Sequence, residues 1–376
     1  MKILITGNMG YVGPAVARRL RQSYPNACLV GLDMGYFSHC LTATQIFPEC
    51  RLDVQHFSDV RKSDPAILSG VDTIIYLAAI SNDPMGATFE RITFDVNYHA
   101  ALRMARDAKQ AGVKGFVFAS SCSIYGFSDG GAKREEDEIN PLTAYAKSKV
   151  LAERGLAQLA DEAFAVTCLR FATACGMSER LRLDLVLNDF VASAITTGQI
   201  AILSDGTPWR PLIHISDMAR AIDWAVQRAN DEGQEYLALN VGSDRWNYRV
   251  KDLAEAVKRV MPDVHISINT STQPDRRSYQ VNFEKFTRLA VGFLPEIDLS
   301  DAIKNLKEGL EVMKFRESDF RNSSFMRLYV LNHLKSAGQL TEDLEWTFCE
   351  LSNSSSSAPD RSMRPFVKSS GRAGMD

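Results

Sequence analysis

Tyr145 and Lys149 stand four residues apart in Tyr145-Ala146-Lys147-Ser148-Lys149, and Ser121 lies upstream in Ser120-Ser121-Cys122-Ser123-Ile124-Tyr125-Gly126. On a helix, that spacing puts two side chains on one face. A phenol titrates near ~10, so it is a poor base at neutral pH unless a nearby cation stabilises its phenolate. Lys149 supplies that cation at helical reach. The pair by itself also describes an ordinary solvated helix edge, and it gains meaning only beside a nucleotide site.

Gly7, Gly10 and Gly13 provide one. They follow the apolar run Lys2–Thr6 and precede Pro14-Ala15-Val16-Ala17-Arg18-Arg19-Leu20, whose apolar spacing is helical, so the order is strand, glycine turn, helix. Such a turn lets the backbone approach a pyrophosphate closely and present the free amides of a helix start to it. Tyr11 and Val12, inside the turn, become cofactor neighbours too. Asp33 stands twenty positions beyond Gly13, at the end of the run Cys28–Leu32, where a carboxylate accepts hydrogen bonds from an adenosine ribose. It would repel a 2′-phosphate, and Met34 and Gly35 bring no cation, so NAD is expected rather than NADP. The plain alternative is a strand-end acid in a turn.

The elements that must hold these residues follow from periodicity. Further strand-like runs occur at Thr73–Ala79, Gly115–Ala119, Ala165–Arg170 and Tyr236–Val241, separated by helical patterns over Asn97–Ala111 and Tyr145–Ala160. Alternation at this spacing predicts an α/β fold of parallel βαβ units: a Rossmann-type doubly wound parallel sheet with a smaller C-terminal α/β substrate-binding cap. Residues 1–170 and 213–242 are expected to form the NAD-binding domain, 171–212 and 243–315 the cap, 316–351 a helical extension, and 352–376 a serine-rich disordered tail. In the extension, Phe325, Leu328, Leu331, Leu334 and Leu340 are the expected apolar positions.

Composition narrows the class. A chain of 376 residues with 45% hydrophobic content can build a real core. Its net charge of -3 carries no basic stripe, so neither nucleic acid nor an anionic membrane is an implied partner. The apolar start runs into a glycine turn rather than a signal-peptide cleavage site, and a cytoplasmic location is expected. The seven cysteines show no Cys-x-x-Cys pair and no histidine at metal spacing, which speaks against zinc and against a disulfide framework.

Taken together, Thr6-Gly7-x-x-Gly10-x-x-Gly13, Leu77-Ala78-Ala79, Asn97, Ser120-Ser121-x-x-x-Tyr125-Gly126, Asn140-Pro141-Leu142-Thr143-Ala144-Tyr145-x-x-x-Lys149 and Arg210-Pro211-Leu212-Ile213-His214 resemble the extended short-chain dehydrogenase/reductases. Within these, the resemblance is to the nucleotide-sugar epimerase/dehydratase family and spans about residues 1–310. It implies that Ser121, Tyr145 and Lys149 are catalytic. It also implies that Asp53 and Val54 contact adenine, that Leu77, Ala78 and Ala79 line the nicotinamide side, and that Asn97 supports the strand–helix junction and an active-site water chain. A homodimer through the helices over Asn97–Ala111 and Tyr145–Ala160 is a further implication.

On the substrate side the resemblance implies a nucleoside-diphosphate sugar whose diphosphate meets Arg210 and Asn188, with Thr173 where the family has an amide. Ser121 and Ser123 face the sugar, Ser81 and Asn82 are candidate hydroxyl contacts in a turn of ordinary composition, and Asp275 is a candidate ribose ligand. His214 is read as structural. Family members that are 4,6-dehydratases carry an acidic residue after the serine, whereas this chain has Cys122 and Ser123. The expected activity is therefore epimerisation through a transient keto-sugar, most simply at C4. A ketoreductase or dehydrogenase, an atypical dehydratase, and a non-catalytic dinucleotide sensor stand as alternatives, the last disfavoured by three intact catalytic residues.

Overall fold

The apolar runs become the strands of one parallel sheet. A computed structural model describes residues 1–42, 46–229, 235–269 and 277–347. Its strands are β1 (Lys2–Thr6), β2 (Cys28–Asp33), β3 (Val54–Phe57), β4 (Thr73–Tyr76), β5 (Gly115–Ser121), β6 (Phe127–Lys133), β7 (Ala165–Phe171), β8 (Thr173–Cys175), β9 (Gln199–Ile202), β10 (Trp209–His214), β11 (Tyr236–Val241), β12 (Asn247–Arg249), β13 (His265–Ile268) and β14 (Ser278–Val281). The α-helices are α1 (Gly13–Ser23), α2 (Asp83–Thr88), α3 (Glu90–Phe94), α4 (Ala101–Gln110), α5 (Ala144–Ala157), α6 (Val186–Thr197), α7 (Ile215–Arg228), α8 (Val250–Val260), α9 (Glu284–Leu289), α10 (Leu299–Val312) and α11 (Arg327–Ser336). A turn of π-helix over 95–100 leads into α4.

Seven strands form the main sheet in the order β11-β7-β5-β4-β1-β2-β3, every pair parallel. Their residues alternate between two cores, as the strand period of two requires. Ile3 and Ile5 of β1 join Val16 and Leu20 of α1 and Ile222 and Val226 of α7 on one face. Leu4 joins Ala101 and Ala105 of α4 and Leu156 of α5 on the other. The strand order reverses between β1 and β4, which opens a crevice at the carboxyl ends of the strands.

The smaller part comprises the sheet β12-β10-β8 and the pairs β13-β9 and β14-β6, with α6, α8 and α10 packed together. Two segments depart from the expected boundaries. Phe127–Lys133, expected within the NAD-binding domain, leaves the main sheet and pairs with β14. Ile213 and His214, also expected there, end β10 and pair with β8, so this stretch rejoins the main sheet only at β11.

The extension is also less helical than its periodicity predicts. Among its described residues, beyond a single 3-10 turn over 320–322, only Arg327–Ser336 is an α-helix, and Leu340 and Trp346 close a hairpin-like bridge. Gly338, at φ +68°, ends the helix and turns the chain back. Leu331, Leu334 and Leu340 are buried as expected, with Val330 and Leu344, against Cys40, Ile80, Met85 and Phe89. Residues 352–376 lie outside the described residues.

Candidate active site

A cavity of about 830 Å³ runs along the carboxyl ends of the main strands and beneath the smaller domain. Its floor is the loop between β1 and α1. Gly7 has φ +71°, and a Cβ there would lie 2.6 Å from the Ala78 amide nitrogen, while one on Gly13 would lie 2.0 Å from the Asn8 carbonyl oxygen. Neither position accepts a side chain, so the loop stays flush with the cavity wall. Gly7, Gly10, Tyr11, Val12 and Gly13 all line it. The Tyr11 hydroxyl donates to the Gly176 carbonyl at 2.5 Å and accepts from Asn188 Nδ2 at 2.9 Å, which ties the glycine loop to the smaller domain.

Asp33 lines the same cavity from the end of β2, its carboxylate oxygens accepting from the amides of Met9 (3.0 Å) and Gly35 (2.8 Å). Burial raises its carboxyl above the usual range, and these two amides oppose the rise. The glycine cradle and this acid, joined along one groove, fit a dinucleotide.

The adenine assignment requires a correction. Asp53 and Val54 lie at the amino end of the edge strand β3, outside the cavity; Asp53 accepts from the Leu29 amide (2.7 Å) and Arg21 (2.6 Å), and Val54 is exposed. A parallel sheet offers its ligand site at the carboxyl ends of its strands. Beyond that end of β3, Ser58, Asp59 and Val60 line the cavity instead.

Leu77, Ala78 and Ala79, following β4, line the next stretch. Opposite them, α5 begins at Thr143, whose hydroxyl accepts from the Ala146 amide (3.2 Å) and donates to Asp83 (2.6 Å). This start aims Tyr145 into the cavity beside Ser121, which ends β5. Burial pushes the Tyr145 phenol up to about 12, and the neighbouring Ser121 hydroxyl opposes this. Lys149 is 2% exposed; its ammonium donates to the Ala119 carbonyl at 2.7 Å and sits 5.6 Å from the Tyr145 ring. Burial brings Lys149 down to about 7, against the pull of Glu153. Burial thus weakens the hold of the expected stabilising cation on its own proton.

Asn97 does not line the cavity, which corrects its assignment as a cofactor contact. It is fully buried: Oδ1 accepts from the Ile80 amide (2.9 Å), and Nδ2 donates to the Ile80 carbonyl (3.0 Å) and Ser148 Oγ (3.1 Å). These bonds tie the segment beyond β4 to α5, leaving support of the junction as its role.

The substrate-side residues divide. Ser81, Asn82, Ser121, Ser123, Thr173 and Arg210 line the cavity. Ser81 accepts from Arg182 at 2.9 Å. Asn82, at φ +86°, caps α2 by accepting from Met85 (3.0 Å) and donates to Asp184 (2.8 Å), combining cavity lining with the turn role. The hydroxyl of Ser123 is buried and has no hydrogen-bond partner among the described residues. Arg210 donates to the carbonyls of Trp209 (2.8 Å) and Arg277.

Asn188, expected on the diphosphate, is fully buried and absent from the cavity wall. Its amide is consumed by Gly176 N (3.1 Å), Tyr11 Oη (2.9 Å) and the Arg182 carbonyl (3.0 Å), which corrects that assignment to a structural cross-link. Asp275 lies outside the described residues. His214 caps α7 by accepting from Ser216 at 3.2 Å, a structural role. Cys122 is buried with its thiol donating to the Arg170 carbonyl at 3.0 Å, and burial raises it far above the usual thiol range.

Sequence reading missed three arginines on the wall. Arg182 forms a fork with Asp184 (2.6 and 2.9 Å), Arg321 pairs with Asp189 at 2.7 Å, and Arg327 reaches in from the start of α11, while Arg277, which also lines the wall, pairs with Asp83. The Arg-x-Asp spacing of 182 and 184 was the one local signal available.

The arrangement supplies a dinucleotide cradle, a phenol and a serine hydroxyl on the same cavity wall, and a buried amine one helical turn behind. Comparison with known proteins gives concordant findings. The model of the NAD dependent epimerase/dehydratase family matches residues 3–242. The chain is 25% identical over 316 residues to an uncharacterized UDP-glucose epimerase of Bacillus subtilis (strain 168), covering 81% of this chain and 96% of that one. It is 25% identical over 321 residues to the UDP-glucose 4-epimerase of Rhizobium meliloti (strain 1021), covering 79% and 93%. In fold it is similar to the UDP-glucose-4-epimerase from Stenotrophomonas maltophila crystallised with NAD and formylated UDP-arabinopyranose, with a TM-score of 0.72 at 21% identity over 84% of this chain and 99% of that one.

Proposed function

Because this chain belongs to the NAD dependent epimerase/dehydratase family, we propose that it inverts one carbon of a nucleoside-diphosphate sugar, most simply C4, through a transient ketone. Bound NAD⁺ supplies the acceptor and then the donor of the hydride. Tyr145, as the phenolate, takes the proton of the C4 hydroxyl as the ketone forms and returns it at the end, so the phenolate is regenerated. Ser121 donates to the sugar oxygen, holding it at hydrogen-bond distance in both states. Lys149 stabilises the phenolate from one turn away and fixes itself on the Ala119 carbonyl.

The observation that favours epimerisation over elimination is the chemistry beside Ser121. A dehydratase needs an acid and a base next to the neighbouring carbons, and here Cys122 is turned into the core while Ser123 offers a neutral hydroxyl. Thr173 and Arg210 lie on the smaller domain's side of the cavity, where they serve the substrate diphosphate.

The test is to purify the protein, identify bound nucleotide, and incubate it with a panel of nucleotide sugars while following reduced nicotinamide and product identity. Inversion without net reduction of NAD is expected; stoichiometric reduction refutes the epimerase and establishes a dehydrogenase. A homodimer on α4 and α5 is part of the same reading, since Leu151 of α5 is 37% exposed there; a monomer by light scattering refutes it. A cytoplasmic location accords with the six free cysteines among the described residues. A fractionation that finds the protein elsewhere overturns that assignment.

A further inference from the structure

The extension beyond residue 315 lies outside the stretch matched by the family model, yet it forms part of the cavity wall. Met326, Arg327 and Leu331 line the cavity. The extension is strapped over the loop that follows β2. The Trp346 indole donates to the Met34 carbonyl at 2.7 Å, the Tyr36 hydroxyl donates to the Leu344 carbonyl, and Leu331, Leu334 and Leu344 are buried against Cys40, Met85 and Phe89. Met34 and Tyr36 themselves line the groove next to Asp33.

Arg327 is the chemically unusual member. It is 2% exposed, its Nη2 donates to the Arg180 carbonyl at 2.8 Å, and its guanidinium carbon lies 4.3 Å from the centre of the Phe37 ring. Nη1 is buried with no hydrogen-bond partner. The two neighbouring arginines have carboxylate partners: Arg180 pairs with Glu49 at 2.8 Å and Arg182 with Asp184 at 2.6 Å. Among the described residues no carboxylate pairs with Arg327. A buried guanidinium with an unmet donor is costly, and a bound anion is the natural compensation. Burial accordingly lowers Arg327 to about 10.

Its position selects the anion. On one side is Phe37, four residues beyond Asp33. On the other is the segment that seals the glycine loop: the Arg180 amide donates to Ser178 Oγ (3.1 Å), which donates in turn to the Tyr11 carbonyl (2.7 Å). Arg327 therefore stands between the loop that follows the ribose acid and the segment that seals the glycine turn. We propose that Arg327, carried by the C-terminal strap, is a ligand of the diphosphate of bound NAD, and that the strap completes the cofactor site. This rests on the NAD reading and assigns the extension a role in holding the cofactor between turnovers, as an enzyme that returns its own hydride requires.

Calorimetric titration of nucleotide-free protein with NAD⁺, ADP-ribose and UDP tests this in the wild type, R327Q and R327K. Loss of one charge-assisted bond predicts that R327Q weakens NAD⁺ and ADP-ribose by about 10- to 100-fold, with UDP changed less than about 2-fold and R327K in between. A loss confined to UDP reassigns the arginine to the substrate diphosphate and overturns the proposal, as do unchanged affinities for all three. Wild-type protein that ignores NAD⁺ but binds UDP refutes the NAD reading itself. If R327Q fails to fold, hydrogen exchange on the wild type decides: NAD⁺ is expected to slow the amides of α11 relative to those of α10, and equal responses overturn the inference.

Discussion

Lys149→Met removes a group the mechanism needs and is expected to stabilise the protein. Burial brings the ammonium from its ordinary 10.5 to about 7, so the folded chain holds it less willingly than the unfolded chain does. Each factor of ten in proton affinity corresponds to about 1.4 kcal/mol, which puts the cost of Lys149 at about 5 kcal/mol below about pH 7 and about 3 kcal/mol at about pH 8. Between those two proton affinities the unfolded state binds the proton that the folded state has released, so wild-type stability rises with pH across that window and this contribution levels off above it. Methionine replaces the aliphatic stem, is one atom shorter and carries no charge, but it leaves the Ala119 carbonyl without its donor, at about 1 kcal/mol. The net expectation is a variant more stable by about 2 kcal/mol at about pH 8, with its advantage shrinking as pH rises. Urea unfolding of cofactor-free wild type and variant, followed by fluorescence across this range, measures it. A variant less stable than wild type at about pH 8, or a difference independent of pH, refutes the burial argument.

Three further outcomes follow from the same geometry. Tyr145→Phe is expected to lower kcat by at least about 100-fold with NAD affinity retained, since only the proton-transferring oxygen is lost; near-wild-type turnover refutes the assigned base. Gly13→Ala, whose methyl would meet the Asn8 carbonyl oxygen at 2.0 Å, is expected to cost about 3 kcal/mol and abolish NAD copurification. A folded variant with bound NAD contradicts the loop packing. Cys122→Ala is expected to leave kcat within about 2-fold and cost about 1 to 2 kcal/mol in thermal unfolding; a collapse of kcat without loss of stability makes the thiol an acid/base after all.

What could be read from the sequence was what is local in it. The glycine loop, Asp33, and the Tyr145 and Lys149 spacing each act within one turn or one strand–helix junction, and each lies on the cavity wall. Asp53 and Asp59 show where locality fails: both precede valine, and only the position of β3 decides which pair sits at the ligand end. Asn188 lies on α6, but the face it shows depends on Tyr11 and Gly176, 177 and 12 residues upstream. Arg182 carries no signal beyond its spacing to Asp184, and Arg327 none beyond its charge. Their burial is fixed by the packing of the segment over 178–185 and of α11 against the β2 loop, which no window of sequence contains.

Asp223 of α7 is fully buried and accepts from Arg19 (2.7 Å) and Ser23 (2.6 Å) of α1, two hundred residues earlier. The central strand β1 meanwhile takes its neighbours from residues 28–32 and 73–76. On a ribosome, then, half the sheet can assemble while the helix that covers it has not been made. The apolar stripe of α1 waits for α7 throughout that interval. At roughly 5–20 residues per second, translation imposes a delay on the order of ten seconds or more, during which the nascent chain presents an unpaired helix face to chaperones and to its own neighbours. Expression at lower temperature or with added chaperones should therefore raise yield more than any change made to the finished cavity.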